Sequence, residues 1–148
     1  MKIITFVLVS LLSLLLAINS ANSYQTAEID NWIEFCPTSQ LCFDRPASLK
    51  PADIQMIDSL AGQLENANIV LYYDLGLYAS TFNELSSATS TSIIVDGNKG
   101  RILTFQNTMA LTIEQISDNV RFSMLLEFKG KLQPETAEHI FKSVKFNL

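Results

Sequence analysis

Residues 51–66, PADIQMIDSLAGQLEN, read either as a helix or as a strand, and the choice decides the fold. As a helix, Ile54, Ile57, Leu60, Ala61 and Leu64 recur at helical spacing, and Pro51 suits a first turn. The strand reading is tested against the next segment, NIVLYYDLGLYAS (residues 68–80). A tight turn at Asn66-Ala67 sets Leu64, Gly62, Leu60, Asp58 and Met56 opposite Ile69, Leu71, Tyr73, Leu75 and Leu77. That face is apolar on both strands apart from Asp58. The other face pairs Gln63 with Val70, Ala61 with Tyr72, Ser59 with Asp74, Ile57 with Gly76 and Gln55 with Tyr78. Face matching of this kind normally fixes register, and it favours a hairpin. A helix over residues 52–65 remains the alternative.

Working outward, residues 93–105 (IIVDGNKGRILTF) read as a second hairpin, with Asp96-Gly97 and Gly100 as turn residues. Residues 109–132 (MALTIEQISDNVRFSMLLEFKGKL) form the clearest pair, with Ile113 facing Phe122, Leu111 facing Met124 and Met109 facing Leu126. Phe122, Met124, Leu126 and Phe128 alternate with Arg121, Ser123, Glu127 and Lys129, the mark of a half-buried antiparallel strand. Leu125 interrupts the polar face. Between the hairpins, residues 81–92 (TFNELSSATSTS) are polar and rich in Ser and Thr, and read as a long loop.

At the C-terminus, Gln133-Pro134-Glu135 is a helix start, with Pro in the first turn and an acid near the positive helix end. Ala137, Ile140, Phe141 and Val144 give the apolar stripe, and VKFNL reads as a short edge strand. Two shorter segments, WIEF and LCFDRP, read as strands around a cysteine loop. The expected class is α+β: an antiparallel sheet of hairpins with one or two packed helices.

The first 23 residues, MKIITFVLVSLLSLLLAINSANS, have the basic start, apolar stretch and small-residue end of a secretory signal. Cleavage is expected after Ser23, with Ser20 or Ala21 as alternatives, leaving residues 24–148 as a single domain. The apolar stretch is short for a membrane span of roughly 20 residues, and no cysteine marks a lipid attachment point. An exported chain meets an oxidising compartment, so Cys36 and Cys42 are expected to pair. So short a loop gains about 2 kcal/mol. The absence of any Asn-x-Ser/Thr motif leans toward a bacterial envelope protein, periplasmic or secreted.

Net charge is −5, and Lys2 is the only charge in the first 23 residues. Such a chain is poorly suited to phosphate backbones, so no nucleic acid partner is expected. No basic amphipathic helix points to membrane docking either. The single histidine, His139, lies one position off the helix stripe and reads as a surface residue. One histidine and two bridged cysteines do not make a zinc site, and no cofactor motif or catalytic motif is present. Carboxylate chemistry would need Asp58 and Asp74 together in a cleft. The simpler reading lets Asp74 bond to Ser59 across the ladder. Tyr72 and Tyr78 share the face of Asp74, either as half-buried tyrosines under a helix or, with Ser59, as a candidate binding patch.

A strand ending in Pro (CFDRP), the passage VDGNKGRILTF, a long hairpin and a last helix running into IFKSVKF follow in order. With IDSLAG and YYDLGLYAS, this order resembles the PsbP-like fold of photosystem extrinsic proteins and small bacterial envelope proteins, over residues 41–148. The resemblance implies a binding or assembly module and carries no catalytic residue with it. The expected function is therefore a small exported, non-enzymatic protein that binds a protein or small ligand. Alternatives are an immunity-like inhibitor of an envelope toxin and a carboxylate-based hydrolase.

Overall fold

A computed structural model describes residues 31–53 and 60–148. In chain order it contains β1 (Trp32–Thr38), β2 (Leu41–Pro46), β3 (Lys50–Pro51), β4 (Leu60–Glu65), β5 (Ile69–Gly76), β6 (Thr89–Val95), β7 (Asn98–Phe105), β8 (Thr108–Ser117), β9 (Val120–Phe128), α1 (Pro134–Ser143) and β10 (Lys145–Phe146). The strands form a seven-stranded sheet, order β3-β4-β5-β9-β8-β7-β6, and a three-stranded sheet, order β1-β2-β10. All pairings are antiparallel. The architecture is predominantly β, with one C-terminal helix among the described residues.

β8 and β9 adopt the expected register: Met109 faces Leu126, Leu111 faces Met124 and Ile113 faces Phe122. The turn between β6 and β7 is the expected Asp96-Gly97, both residues at positive φ (48° and 78°), as a two-residue hairpin turn requires. Gly100, expected in a turn, instead lies inside β7 opposite Ile93. A Cβ there would stand 2.9 Å from the Thr112 carbonyl, so the glycine lets the neighbouring backbone approach.

Residues 60–65 are a strand, and the helix alternative is overturned for them. Residues 54–59, with Asp58 and Ser59, lie outside the described residues, as do residues 1–30 with the expected signal. The β4–β5 register differs from expectation by two: Leu64 faces Leu71 and Leu60 faces Leu75. The cause is the turn. Asn66 Oδ1 accepts from the amides of Asn68 (2.8 Å) and Ile69 (2.7 Å), which lengthens the loop beyond two residues. A shift of two keeps each side chain on its expected face. It does set Asp74 opposite Ala61, not Ser59. β5 ends at Gly76, so Leu77, expected in the core, is 45 % exposed. The expected loop over residues 81–92 is also shorter, because Thr89 already begins edge strand β6.

One face of the large sheet carries the core: Leu64, Leu71, Tyr73, Leu111, Ile113, Phe122, Met124 and Leu126. α1 packs against β2, β6 and β8 and buries Ala137, Ile140 and Phe141. The Ser143 hydroxyl accepts from the Asp44 amide (2.8 Å) and donates to the Ile140 carbonyl (2.7 Å), pinning the helix end to β2. The β1–β2 hairpin lies over β5, where Phe35 and Phe43 meet Tyr73 edge-on. Arg45 is buried there; its guanidinium lies 5.2 Å from the Phe35 ring centre and donates to the Leu49 carbonyl. Burial lowers its pKa.

Cys36 and Cys42 are bonded, with alpha carbons 4.1 Å apart. Both lie within the β1–β2 hairpin rather than in a loop outside the strands. Two outcomes test these contacts. Phe141→Ala is expected to cost about 3–5 kcal/mol in urea unfolding, because the cavity opens in the middle of the core; a change under about 1 kcal/mol would contradict that packing. Reduction of the disulfide is expected to lower stability by about 2 kcal/mol and to add two hydrogens to the intact mass; thiol titration of the unreduced protein that finds free thiols would refute the pairing.

Candidate functional site

The second face of the large sheet lies away from the helix. Its residues follow from the ladder: Ala61, Gln63 and Glu65 on β4; Val70, Tyr72 and Asp74 on β5; Ser123, Leu125 and Glu127 on β9; Ala110 and Thr112 on β8. Ala110 is fully buried, and Thr112 and Ser123 are nearly so. The chain itself supplies the cover. Leaving β5, it turns at Gly76, buries Ala79 and lays Ser80 over the middle of the sheet. The Ser80 amide donates to Ser123 Oγ (3.2 Å), and Thr112 Oγ1 donates to the Ser80 carbonyl (3.2 Å). The Phe82 amide donates to Ser80 Oγ (3.0 Å), with Phe82 at φ 51°. Residues 77–88 thus form a strap across the sheet.

Between this strap and β4 lies a cleft of about 300 Å³. Tyr72, Asp74, Tyr78, Phe82, Ser123 and Leu125 line it. The structure therefore brings together three residues of the expected patch, Tyr72, Asp74 and Tyr78; the remaining one, Ser59, lies outside the described residues. Tyr78 contributes from the strap rather than from β5, and is 82 % exposed. Asp74 sits across the ladder from Ser123. Tyr72 is half-buried, and α1, the helix among the described residues, lies on the other face and is not what covers it. Phe82 is not anticipated by the sequence reading, since nothing in a polar loop shows which sheet face it will cross. Ser123 is marked there only as a polar-face residue.

Tyr73, between Tyr72 and Asp74, points the other way. Its ring lies over Gly62, where a Cβ would collide with the phenol. Burial raises its pKa, so it stays neutral and acts as packing.

Other features are less promising as sites. A wider depression of about 960 Å³ lies over β6, β7 and β8, where Arg101 and Glu114 pair with each other at 2.8 Å. His139 is a surface residue as expected. It stacks on Trp32 with ring centres 3.8 Å apart, and its Nε2 is 3.4 Å from Asp44 Oδ2. The nearby Ser143 hydroxyl is engaged by backbone groups. Among the described residues no cluster of three or more His, Cys, Asp or Glu is arranged to hold a metal, and no helix is long and apolar enough to cross a membrane. Asp58, the other member of the expected carboxylate pair, lies outside the described residues.

No protein-family model matches the chain, and no curated protein matches it either.

The strap's attachment has a measurable consequence. Ser123→Ala leaves the Ser80 amide without its acceptor, a loss of about 1–3 kcal/mol for a buried group. Amide exchange at Ser80 should accelerate while Leu111 and Met124 keep their protection. Unchanged exchange at Ser80 would show that the strap is held by something else.

Proposed function

We propose that this chain is a small exported, non-enzymatic binding protein of the bacterial envelope, and that the cleft beneath the strap is its binding site. The observation that carries the reading is the convergence of Tyr72, Tyr78 and Phe82 around Asp74. Aromatic side chains around a few polar groups are the usual make-up of a recognition site, and tyrosine is a frequent anchor. Export rests on the signal-like residues 1–23 and fits the Cys36–Cys42 bond, since such bonds persist in oxidising compartments. Removal of that segment would leave residues 24–148 as the working domain, in the periplasm or secreted.

The finer fold assignment belongs to the same proposal. A strand ending at Pro46, the Asp96-Gly97 hairpin, the long β8–β9 pair and a last helix entering a short strand fit the order expected of a PsbP-like assembly module. An envelope accessory protein and an immunity-like inhibitor both fall within this class.

Capture from envelope extract tests the site. Tyr72→Ala and Tyr78→Ala are each expected to weaken retention of a partner by about tenfold, the loss of one aromatic anchor. Tyr78, largely exposed, should change affinity without changing stability. Identical capture by the wild-type protein and both variants would remove the cleft from consideration.

A further inference from the structure

We infer that edge strand β6 pairs antiparallel with β6 of a second copy of this chain, with Ser92 on the twofold axis. The inference concerns a different surface from the cleft and stands apart from the binding reading above. Three features of the sheet edges carry it.

The first is the open ladder of β6. This strand ends the large sheet on one side, with β7 as its neighbour. The two-residue turn at Asp96-Gly97 makes Val95 and Asn98 a hydrogen-bonded pair. From there the pairs alternate, so the backbone N–H and C=O groups of Ile94, Ser92 and Ser90 point away from β7. The turn at Gln106-Asn107 gives the same phase, because it sets Phe105 against Thr108 and turns the odd-numbered residues of β7 toward β8. α1 packs against β6 and Val95 is buried, but five of the seven strand residues are exposed, among them Ile94 at 62 %.

The second is the contrast between the two edges. Natural sheets blunt their edges with short strands, lysine, proline or bulges. Edge strand β3 is two residues long, Lys50 and Pro51. β6 is seven residues long, TSTSIIV, with no charge, no proline and no bulge in its register with β7. Uncharged stretches of this kind, rich in β-branched residues, are templates for strand addition. A contact from β6 to β3 would be head-to-tail and would find only two residues, so pairing between copies closes as a dimer from β6 to β6.

The third is that β6 complements its own reverse. Turned about Ser92, it sets Ser90 opposite Ile94, Thr91 opposite Ile93 and Thr89 opposite Val95, which uses the whole strand. The Ser/Thr half meets the Ile/Val half, so each of these rows puts a small hydroxyl side chain beside a bulky apolar one. Ser92 meets its own copy, and cross-strand hydroxyls can hydrogen-bond. In this register the outward groups of Ser90, Ser92 and Ile94 face those of Ile94, Ser92 and Ser90 in the other copy. The cations on the neighbouring strand stay apart. Arg101 lies beside Ser92, so the two copies of Arg101 stand three strand spacings apart, roughly 14 Å. That exceeds the Debye length of about 8 Å, and each is paired with its own Glu114. Lys99, beside Ile94, is farther still from its copy. The axis is perpendicular to the sheet, so the straps of both copies lie on the same side.

The test is sedimentation of the full chain in a concentration series up to about 1 mM, with amide exchange measured at both ends of the series. The wild-type chain is expected to move from monomer to dimer mass. The amides of Ser90, Ser92 and Ile94 should slow in the dimer, while those of Thr91 and Ile93, which face β7, should not change. Ser92→Lys and Ser92→Glu are exposed changes that each put like charges across the axis, and each should weaken the dimer by about tenfold or more. Leu111 should keep its protection in both, the sign of an intact fold. Mixed one to one, the two variants should pair with each other and regain the dimer, because opposite charges then face across the axis. A monomer at every concentration would overturn the inference. So would a dimer that both variants keep, or one that forms without protecting Ser90, Ser92 and Ile94, since it uses another surface. Two monomeric variants that stay apart when mixed would overturn the axis at Ser92.

Discussion

One topological constraint organises this molecule: the chain must travel from β5 to β6. These strands run parallel, yet β9, β8 and β7 stand between them in the sheet. Four inter-strand steps amount to about 19 Å, and the start of β6 lies level with Leu71, about 17 Å back along the strand direction. The connection must therefore cross a face of the sheet diagonally, over about 25 Å, while twelve residues reach about 40 Å when extended. The core face is filled by α1 and the β1–β2 hairpin, so the strap takes the other face. The spare length is absorbed in turns, where the Leu85 amide donates to the Phe82 carbonyl and the Ala88 amide to the Leu85 carbonyl.

This crossing explains residues that otherwise look misplaced. Ala110, Thr112 and Ser123 lie on what should be the solvent side, yet all three are buried. They are small, which lets the strap backbone approach the sheet. Two of them carry hydroxyls that meet the Ser80 amide and carbonyl. A strap without such partners would bury unsatisfied backbone groups, at a cost of about 1–3 kcal/mol each. The cleft is a by-product of the same geometry. The strap crosses β9 and β8 but leaves β4 and half of β5 uncovered, so Tyr72 and Asp74 stand at the edge of its shadow.

Much of this is legible in the sequence. β8 and β9 can be aligned residue by residue because strict alternation admits few registers and Asp118-Asn119 closes a short turn. The final helix is legible from Pro134 and the stripe of Ala137, Ile140, Phe141 and Val144. β4 and β5 are legible as faces but not as register. A slip of two preserves every face, and only the side chain of Asn66, which takes two backbone amides, selects between the possibilities. The cleft is half legible. Tyr72, Asp74 and Tyr78 can be grouped by parity, but parity is the wrong reason for Tyr78, which has left the strand after Gly76. Phe82 is invisible because loop direction depends on the strand order of the whole sheet.

β5 shows how the parts of the fold depend on one another. Leu71, Tyr73 and Leu75 face the core, while Tyr72 and Asp74 face the cleft. Tyr73 carries the strand's contact with the disulfide-closed hairpin through Phe35 and Phe43. Its ring fits because Gly62, on the neighbouring strand, has no side chain. Successive side chains of a strand point to opposite faces, so whatever fixes Tyr73 also fixes the backbone that aims Tyr72 and Asp74. The tight packing on the core side is thus what holds the cleft side in place.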